Sequence, residues 1–238
     1  MSQGSTYSGH EFESFANSPN YFNWIADVFR PHLSGDVTEI GAGAGTFSQR
    51  ILPHANRLTL VEPSANLHPG LQAKFANQQK VTLLQSSIEE HLIEGDSQPQ
   101  DAFVLVNVLE HIQDDDRAIM AMSDKLKVGG MLLVFVPALP FLFSKMDAGL
   151  GHYRRYKLSD LQKQVEVANL TVIDIRYFDI LGILPWWLIN TLGKQTRFNP
   201  QMVGLYDKVG VPITRFMEGL VIPPIGKNII LIARKDNK

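Results

Sequence analysis

Apolar residues in this chain follow two alternating patterns, short continuous runs and runs with helical spacing. Continuous apolar runs of this length are typical of strands that are covered on both faces of a parallel sheet. The sequence predicts such strands at Val37–Ile40, Leu58–Glu62, Val81–Gln85, Ala102–Val106, Met131–Val136, Thr171–Phe178 and Asn228–Ala233.

Segments with three- and four-residue apolar steps lie between most of these strands and predict helices. The first is expected to begin at Pro19, with Ser18 as its N-cap. Further helices are predicted over Thr46–Leu52, Asn66–Asn77, Asp114–Lys127 (closed by Gly129 and Gly130) and Leu158–Ala168. Strands that alternate with helices indicate a doubly wound α/β sheet, in which ligands bind beyond the carboxyl ends of the strands.

The first strand runs directly into glycines at positions 41, 43 and 45. Glycine permits positive φ and lets a ligand lie against bare backbone, and the following helix N-terminus offers free N–H groups. About twenty residues further on, the second strand ends in Glu62, where this architecture holds a ribose. Together these features predict a nucleoside-containing ligand; the alternative is a tight turn without a ligand.

The glycine spacing favours one class of nucleoside ligand. The dinucleotide fingerprint requires glycine at the sixth position, which Thr46 occupies here. The segment Glu39–Gly45, an acid followed by G-x-G-x-G, instead resembles the first motif of the class I S-adenosylmethionine (SAM)-dependent methyltransferases. The resemblance extends over roughly residues 18 to 180.

This resemblance implies a mostly parallel seven-stranded sheet with an antiparallel last strand and a helical insertion before it. We expect a single domain over residues 1–238, with a cofactor-binding core at 18–178, the insertion at 179–227 and the last strand at 228–234. Within the insertion, one apolar face is expected to pack onto the body of the protein; it consists of Leu205, Val209, Ile213, Phe216 and Leu220.

The resemblance also implies roles at the cofactor site. Backbone at Gly41, Ala42, Gly43 and Gly45 would contact the methionine part of SAM, and Glu39 would hold its ammonium group or cap the loop. Glu62, followed by Pro63, would bind the ribose hydroxyls. Ser87 and Ile88 would contact the adenine, although Ser87 and Glu90 also form a capping-box pattern. Asn107 and Val108 would approach the methionine part.

Candidate catalytic residues follow the fourth and fifth strands. His111, in an Asn-Val-Leu-Glu-His segment, could be a general base or could fix its loop. In the run 151–156, His152 or Tyr153 could accept a proton from a hydroxyl, and Arg154, Arg155 and Tyr156, with Trp186, could bind an acceptor. The alternative is structural, with an arginine paired to Asp147 and the tyrosines wedging the loop. The acidic run 114–116 is interpreted as a helix start, and no metal is predicted.

Composition narrows the class of protein. The formal net charge of −2 argues against a nucleic-acid binder, and the absence of cysteine excludes disulfides and thiolate chemistry. Residues 1–13 are polar, so no secretion signal is expected and the expected location is the cytoplasm. The apolar stretch 180–189 is too short to span a bilayer. It is expected to cover the substrate cleft, with contact to a membrane surface as the alternative.

The sequence therefore predicts a SAM-dependent methyltransferase that acts on a small molecule. The expected acceptor has an anionic group and an apolar body. The alternatives are a non-catalytic SAM-binding partner subunit and an NAD(P)-dependent oxidoreductase. The oligomeric state and the acceptor atom stay open.

Overall fold

The computed structural model describes residues 18–94, 98–194 and 199–237, so the polar N-terminal stretch lies outside the described residues. The predicted strands are all present in one sheet. Their observed bounds are β1 (Asp36–Ile40), β2 (Arg57–Val61), β3 (Val81–Leu84), β4 (Gln100–Val106), β5 (Leu126–Pro137), β6 (Leu170–Phe178) and β7 (Asn228–Lys235).

The strand order is β3-β2-β1-β4-β5-β7-β6. The first five strands pair in parallel, whereas β7 runs antiparallel between β5 and β6. This topology confirms the predicted doubly wound, mostly parallel sheet. The chain builds outward from β1 in one direction and then from β4 in the other, so the β1 and β4 ends form the switch point where such folds bind ligands.

Nine short α-helices surround the sheet. They are α1 (Pro19–Phe29), α2 (Ser48–Ile51), α3 (His68–Phe75), α4 (Asp115–Lys125), α5 (Lys145–Gly149), α6 (Leu158–Val167), α7 (Ile183–Trp186), α8 (Pro200–Leu205) and α9 (Val211–Leu220), as counted over the described ranges. The insertion is helical, as predicted. A π-helical segment, Trp187–Leu192, continues α7, and a second one, Tyr206–Gly210, joins α8 to α9.

Side chains of the central strands alternate between two hydrophobic cores, one on each face of the sheet. In β4, Phe103 and Leu105 belong to one core and Ala102 and Val104 to the other. Helices α4 and α6 cover the first face, and α1 to α3 cover the second. Burial on both faces explains why these strands are apolar throughout in the sequence.

The predicted end of the fourth long helix was wrong. Helix α4 stops at Lys125, and Gly129 and Gly130 lie inside the irregular first part of β5, where the register against β4 shifts. Gly129 has φ +81°, and a Cβ on Gly130 would lie 2.8 Å from the carbonyl oxygen of Lys127. The two glycines therefore permit a kink within a strand. A Gly-Gly pair is also common after the end of a helix, so the sequence alone did not distinguish the two.

The start of α1 depends on a residue far away in the sequence. Ser18 occupies the N-cap position, but its side chain makes no capping bond. Instead, Asp207 of the insertion accepts the backbone N–H groups of Asn20 (3.2 Å) and Tyr21 (2.9 Å). Asp207 is buried. A carboxylate at this end of a helix satisfies unpaired N–H groups and complements the helix dipole, so Asp207 ties the insertion to the core.

The expectation that the apolar face of the insertion packs onto the protein was also wrong. Its five residues are exposed in this chain: Leu205 by 65%, Val209 by 52%, Ile213 by 49%, Phe216 by 70% and Leu220 by 71%. The inward face instead carries Asp207, Val211 and Thr214, which are buried at the same helical spacing. Periodicity locates an apolar face but does not tell what covers it.

Replacing Asp207 by alanine should destabilise the protein by about 2 kcal/mol, since it removes a helix cap and leaves N–H groups of α1 without an acceptor. Urea unfolding measures this change. The matched control is Asp124→Ala at an exposed position near the C-terminal end of α4, where the free energy of unfolding should change by less than about 0.5 kcal/mol. Equal stabilities of the two variants would contradict the capping role of Asp207.

Candidate functional site

A cavity of about 1150 Å³ opens at the carboxyl ends of β1 to β4. Its wall is built from the loops that follow these strands, from the loop that carries His152 and from the helical insertion. The switch point of the sheet thus lies at the floor of this cavity.

The glycine turn after β1 shapes this floor. Gly41, Gly43 and Gly45 all have positive φ, of 69°, 56° and 72°. A Cβ on Gly41 would lie 2.5 Å from Val108, and one on Gly45 would lie 2.7 Å from Phe75. Gly41 and Ala42 line the cavity, whereas Gly43 and Gly45 are not among its lining residues. The latter two shape the turn, which is a role distinct from the ligand contact expected for them.

Glu62 is held in position at the end of β2. One carboxylate oxygen accepts the backbone N–H of Gly43 at 2.8 Å, and the other accepts that of Ser64 at 2.9 Å. The residue is buried and lies in the cavity wall beside Pro63. Each carboxylate oxygen can accept more than one hydrogen bond, so both can still accept from a ligand. The pair of oxygens is suited to two neighbouring hydroxyl groups.

Glu39 is a buried acid in the same wall. Its side chain is 2% exposed, and its Oε2 atom has no hydrogen-bond partner among the described residues. Burial raises the pKa of Glu39 to about 8, and the nearby Glu62 carboxylate adds to this shift while Ser48 opposes it. An acid in this state favours a cationic ligand, because a positive charge would stabilise its ionised form.

The segment after β3 forms a capping box and also lines the cavity. The backbone N–H of Ser87 donates to Glu90 at 2.9 Å, and the backbone N–H of Glu90 donates to the Ser87 hydroxyl at 3.1 Å. This reciprocal pair is a capping box. Ser87 and the buried Ile88 also line the cavity. Capping and ligand contact are therefore compatible here.

Asn107 and Val108 follow β4 and lie in the cavity wall, where Val108 packs beside Gly41 of the glycine turn. Asn107 has φ 54°, a left-handed conformation that asparagine adopts more readily than most residues, and its N–H donates to the Phe135 carbonyl at 2.8 Å. The next turn, Leu109–His111, begins directly afterwards. Glu110 and His111 of this turn lie in the cavity wall.

Glu110, His111 and His152 form a cluster at the acceptor side of the cavity. Glu110 is fully buried, and neither of its carboxylate oxygens has a hydrogen-bond partner among the described residues. Burial raises the pKa of Glu110 to about 7. The rings of His111 and His152 meet edge to face at 4.6 Å. Burial, together with His152, lowers the pKa of His111 to about 4, which keeps its imidazole neutral.

Asp147 orients His152. One of its carboxylate oxygens lies 3.2 Å from Nδ1 of His152 and 2.8 Å from Nε of Arg155. The other accepts the N–H and hydroxyl of Ser144, the capping box of α5. The Arg155–Asp147 pair is the structural alternative given for the 151–156 run. With Nδ1 of His152 facing Asp147, Nε2 of the same ring faces Glu110 and lies 3.9 Å from its Oε1 atom.

The remaining residues of the run differ in where they lie. Tyr153 lines the cavity and is half exposed. Arg154 and Tyr156 are not among the lining residues; both contact Asp115, and the Tyr156 hydroxyl lies 2.7 Å from that carboxylate. Their expected role in acceptor binding thus has no support from their positions.

The acidic run that precedes α4 serves structure. Asp114 caps the helix by accepting the N–H of Arg117 at 3.2 Å, as the sequence indicated. Asp115 is buried and anchors the loop that carries the arginines and tyrosines.

The apolar stretch 180–189 contributes to the roof of the cavity. Pro185, Trp186 and Ile189 line it, and the Trp186 ring lies against the Arg155 guanidinium, 4.5 Å from ring centroid to Cζ. Leu184 and Leu188 on the same stretch are exposed by 59% and 49%. Among the described residues, no helix combines the length and apolar character needed to cross a bilayer.

Sequence patterns did not indicate a polar network in the cavity wall near Trp186. Lys227 pairs with the buried Asp179 at 2.9 Å and lies 5.0 Å from the ring centroid of Tyr21. The hydroxyl groups of Tyr21 and Tyr206 both donate to Asp179. These residues come from distant parts of the chain and belong to no motif, so no local signal could have found them.

Comparison with known proteins supports a methyltransferase. Residues 38–132 match the model of a methyltransferase domain family. A ubiquinone biosynthesis O-methyltransferase from Coxiella burnetii is 24% identical over 152 residues, which cover 58% of this chain and 64% of that relative. The chain thus spans slightly less than two thirds of the length of this curated relative.

Two solved structures share the fold. A SAM-dependent methyltransferase from Clostridium acetobutylicum has a TM-score of 0.60 and 12% identity, with 92% of each chain covered. The N-methyltransferase NodS from Bradyrhizobium japonicum, in complex with S-adenosyl-L-homocysteine, has a TM-score of 0.58 and 15% identity, covering 90% of this chain and 86% of that one. Residues 38–132 thus match a methyltransferase domain, and in its fold, glycine turn and acid after β2 the chain is similar to the class I SAM-dependent methyltransferases, whose cofactor is S-adenosylmethionine.

Proposed function

We propose that this protein transfers a methyl group from SAM to a hydroxyl group of a small acceptor with an apolar body. The observation that carries the proposal is the pair of buried acids, Glu39 and Glu62, on either side of the glycine turn. The bound cofactor supplies an electrophilic methyl group on a sulfonium.

The described residues fit the cofactor in both charge and shape. Glu62 presents two fixed oxygens to the ribose hydroxyls, and the unpartnered Oε2 of Glu39 suits the ammonium of the methionine part. Ile88 offers an apolar surface to the adenine, with Ser87 next to it. The absence of a side chain at Gly41 makes room for Val108, and Gly41 and Ala42 line the cavity beside it.

On the acceptor side, Glu110, His111 and His152 would activate the hydroxyl, with Tyr153 at the cavity wall. Asp147 holds His152 in one orientation, which lowers the cost of placing its Nε2 edge at the acceptor. The insertion covers the cavity and limits access of water. Orientation and exclusion of water are the main contributions the protein makes to a direct displacement.

The acceptor is proposed to be apolar apart from its hydroxyl group. Arg155 and Lys227 line the cavity, but each already pairs with a carboxylate, which weakens the expectation of an anionic acceptor. Leu188, Met202 and Val203 contribute apolar wall. The related Coxiella burnetii protein is named for O-methylation in ubiquinone biosynthesis, which agrees with a hydroxylated acceptor carrying a hydrocarbon tail.

We further propose that the exposed apolar face of residues 205–220 contacts a lipid bilayer surface from the cytoplasmic side. The face lies on the same insertion that walls the cavity, and a second apolar depression elsewhere on the surface is lined by Phe141, Leu184 and Trp187, among others. An acceptor with a hydrocarbon tail would partition into a membrane. Docking of the insertion there would bring the cavity to its substrate.

Glu62→Gln should weaken SAM binding by about 10- to 100-fold, because a charge-assisted hydrogen bond to each ribose hydroxyl contributes about 1.5 to 3 kcal/mol. Calorimetry with SAM and with its demethylated product measures this. The exposed acid Asp116 supplies the control, Asp116→Asn, which should bind as the wild type does. If the wild-type protein gave no heat with either compound, or if NAD bound instead, the proposed function would fail.

SAM binding near pH 6.5 should release up to one proton from Glu39. The pKa of this acid is about 8 in the free protein, so it is protonated there, and the cofactor's ammonium favours its ionised form. Affinity should therefore rise with pH, by up to about tenfold per unit, until the pH approaches 8. Calorimetry in buffers of different ionisation enthalpy counts the protons. Glu39→Gln should abolish this release; the same proton count in both proteins would assign it to another group.

The double variant Phe216→Asp/Leu220→Asp should reduce binding to phosphatidylcholine–phosphatidylglycerol vesicles at least about tenfold, since each apolar side chain contributes about 1.5 to 3 kcal/mol when it is buried. Vesicle flotation measures the bound fraction. Val167→Asp is the control, because Val167 is also exposed but lies on α6. Equal flotation of both variants, or a wild-type dimer that the double variant dissociates, would contradict membrane contact.

A further inference from the structure

The geometry of Glu110, His111 and His152 points to a binding site for one divalent transition-metal ion, and we propose that these three side chains are its ligands. One ligand atom from each lies within 4.8 Å of the others. The cluster lies in the cavity wall on the acceptor side. The sequence analysis expected no metal and considered only the acidic run 114–116.

Glu110 carries the first argument. It is fully buried, and both of its carboxylate oxygens lack hydrogen-bond partners within the described parts of the chain. A buried carboxylate without a partner is costly, and such groups in native proteins are generally paired or coordinate a metal. A hydrogen bond holds the turn in place, since the N–H of Tyr153 donates to the Glu110 carbonyl at 2.8 Å. Glu110 is thus held in the cavity wall with both carboxylate oxygens unpartnered.

His152 faces Glu110 with a lone pair. Asp147 is ion-paired with Arg155 and can only accept from the imidazole, so the ring hydrogen lies on Nδ1. In this tautomer Nε2 faces Oε1 of Glu110, 3.9 Å away, which is too far for a hydrogen bond. A metal ion placed between the two atoms would be bound by both of them.

The arrangement Asp147–His152 has the form found behind metal-bound histidines, in which a carboxylate accepts the hydrogen of the second ring nitrogen. It fixes the tautomer and orientation that a ligand needs. Asp147 in turn accepts from Ser144 and Arg155, so the supporting residue is itself fixed. Asp147 is therefore a positioning residue for the proposed site.

His111 completes the set from the same turn as Glu110. Its ring lies 4.6 Å from the ring of His152, centroid to centroid. Bonds of about 2.1 Å to one ion would bring the ligand atoms to about 3.0 to 3.5 Å from one another. Two ligands share one short turn and the third lies on a single loop, so small side-chain rotations close the site.

The donor set decides which ions fit. Two imidazoles and one carboxylate suit Zn²⁺, Fe²⁺, Co²⁺ or Mn²⁺, whereas Mg²⁺ and Ca²⁺ prefer oxygen ligands. Three protein ligands leave coordination positions open toward the cavity. That an acceptor oxygen occupies such a position rests on the proposed function; binding of the ion does not.

The test is titration of the full chain, freed of metal by a chelator, with CoCl₂ in the absence of SAM. We expect one Co²⁺ per chain, with a visible absorption band. Glu110→Gln and His152→Gln should each weaken binding at least about 100-fold, and Asp147→Asn about 10- to 100-fold. His54→Gln, at an exposed position away from the cavity, should bind as the wild type does.

Two outcomes would overturn the proposal: no Co²⁺ bound by the wild type, or unchanged binding in Glu110→Gln and His152→Gln. If a variant fails to fold, a measurement on the wild type takes its place. Added Co²⁺ should shift the proton NMR resonances of two imidazoles in the wild type. Unshifted resonances would refute the site. SAM calorimetry on the metal-free chain is read separately. Binding of SAM without binding of Co²⁺ would refute only the metal site. Binding of Co²⁺ without binding of SAM would refute only the proposed function.

Discussion

The reversal of strand order between β1 and β4 is the constraint on which the rest of this structure depends. Loops that follow neighbouring strands diverge there, because the helices after β1 and after β4 lie on opposite faces of the sheet. The space between the loops cannot be filled by either of them. Every group proposed to bind cofactor or acceptor stands around that gap or covers it, so the topology decides where chemistry is available.

Buried acids with unpartnered oxygens define the two halves of the cavity. Glu39 on the cofactor side and Glu110 on the acceptor side are both buried and both lack partners for carboxylate oxygens among the described residues. Their pKa values are raised mainly by burial. Such groups reduce the stability of the ligand-free protein and strengthen binding of cations, which is how a preorganised site favours its ligands. Glu62, in contrast, is fully oriented by backbone donors before any ligand binds.

The helical insertion connects the cavity to the outside of the molecule. Asp207 fastens it to the start of α1, and Trp186 lies over Arg155 at the acceptor end. Its outward face is apolar and exposed. A cover of this kind has two requirements, a polar anchor that fixes its position and an apolar surface that meets either a substrate or a membrane. In the segment 200–220, the inward face carries the polar anchor Asp207 and the outward face carries the apolar surface.

Local patterns in the sequence determined the strands, the glycine turn, the acid after β2 and the family, because each of these depends on residues that are close together in the chain. The family resemblance implied the mostly parallel sheet with an antiparallel last strand, and the structure gave the order of the strands. What only the tertiary structure decided depends on residues far apart: the cap that Asp207 provides for α1, the network around Asp179, and the grouping of Glu110 with His152. Direction was the other unknown. An apolar stripe or a pair of arginines has the same sequence whether it faces the core, a cavity or solvent, and only the packing of neighbouring elements distinguishes them.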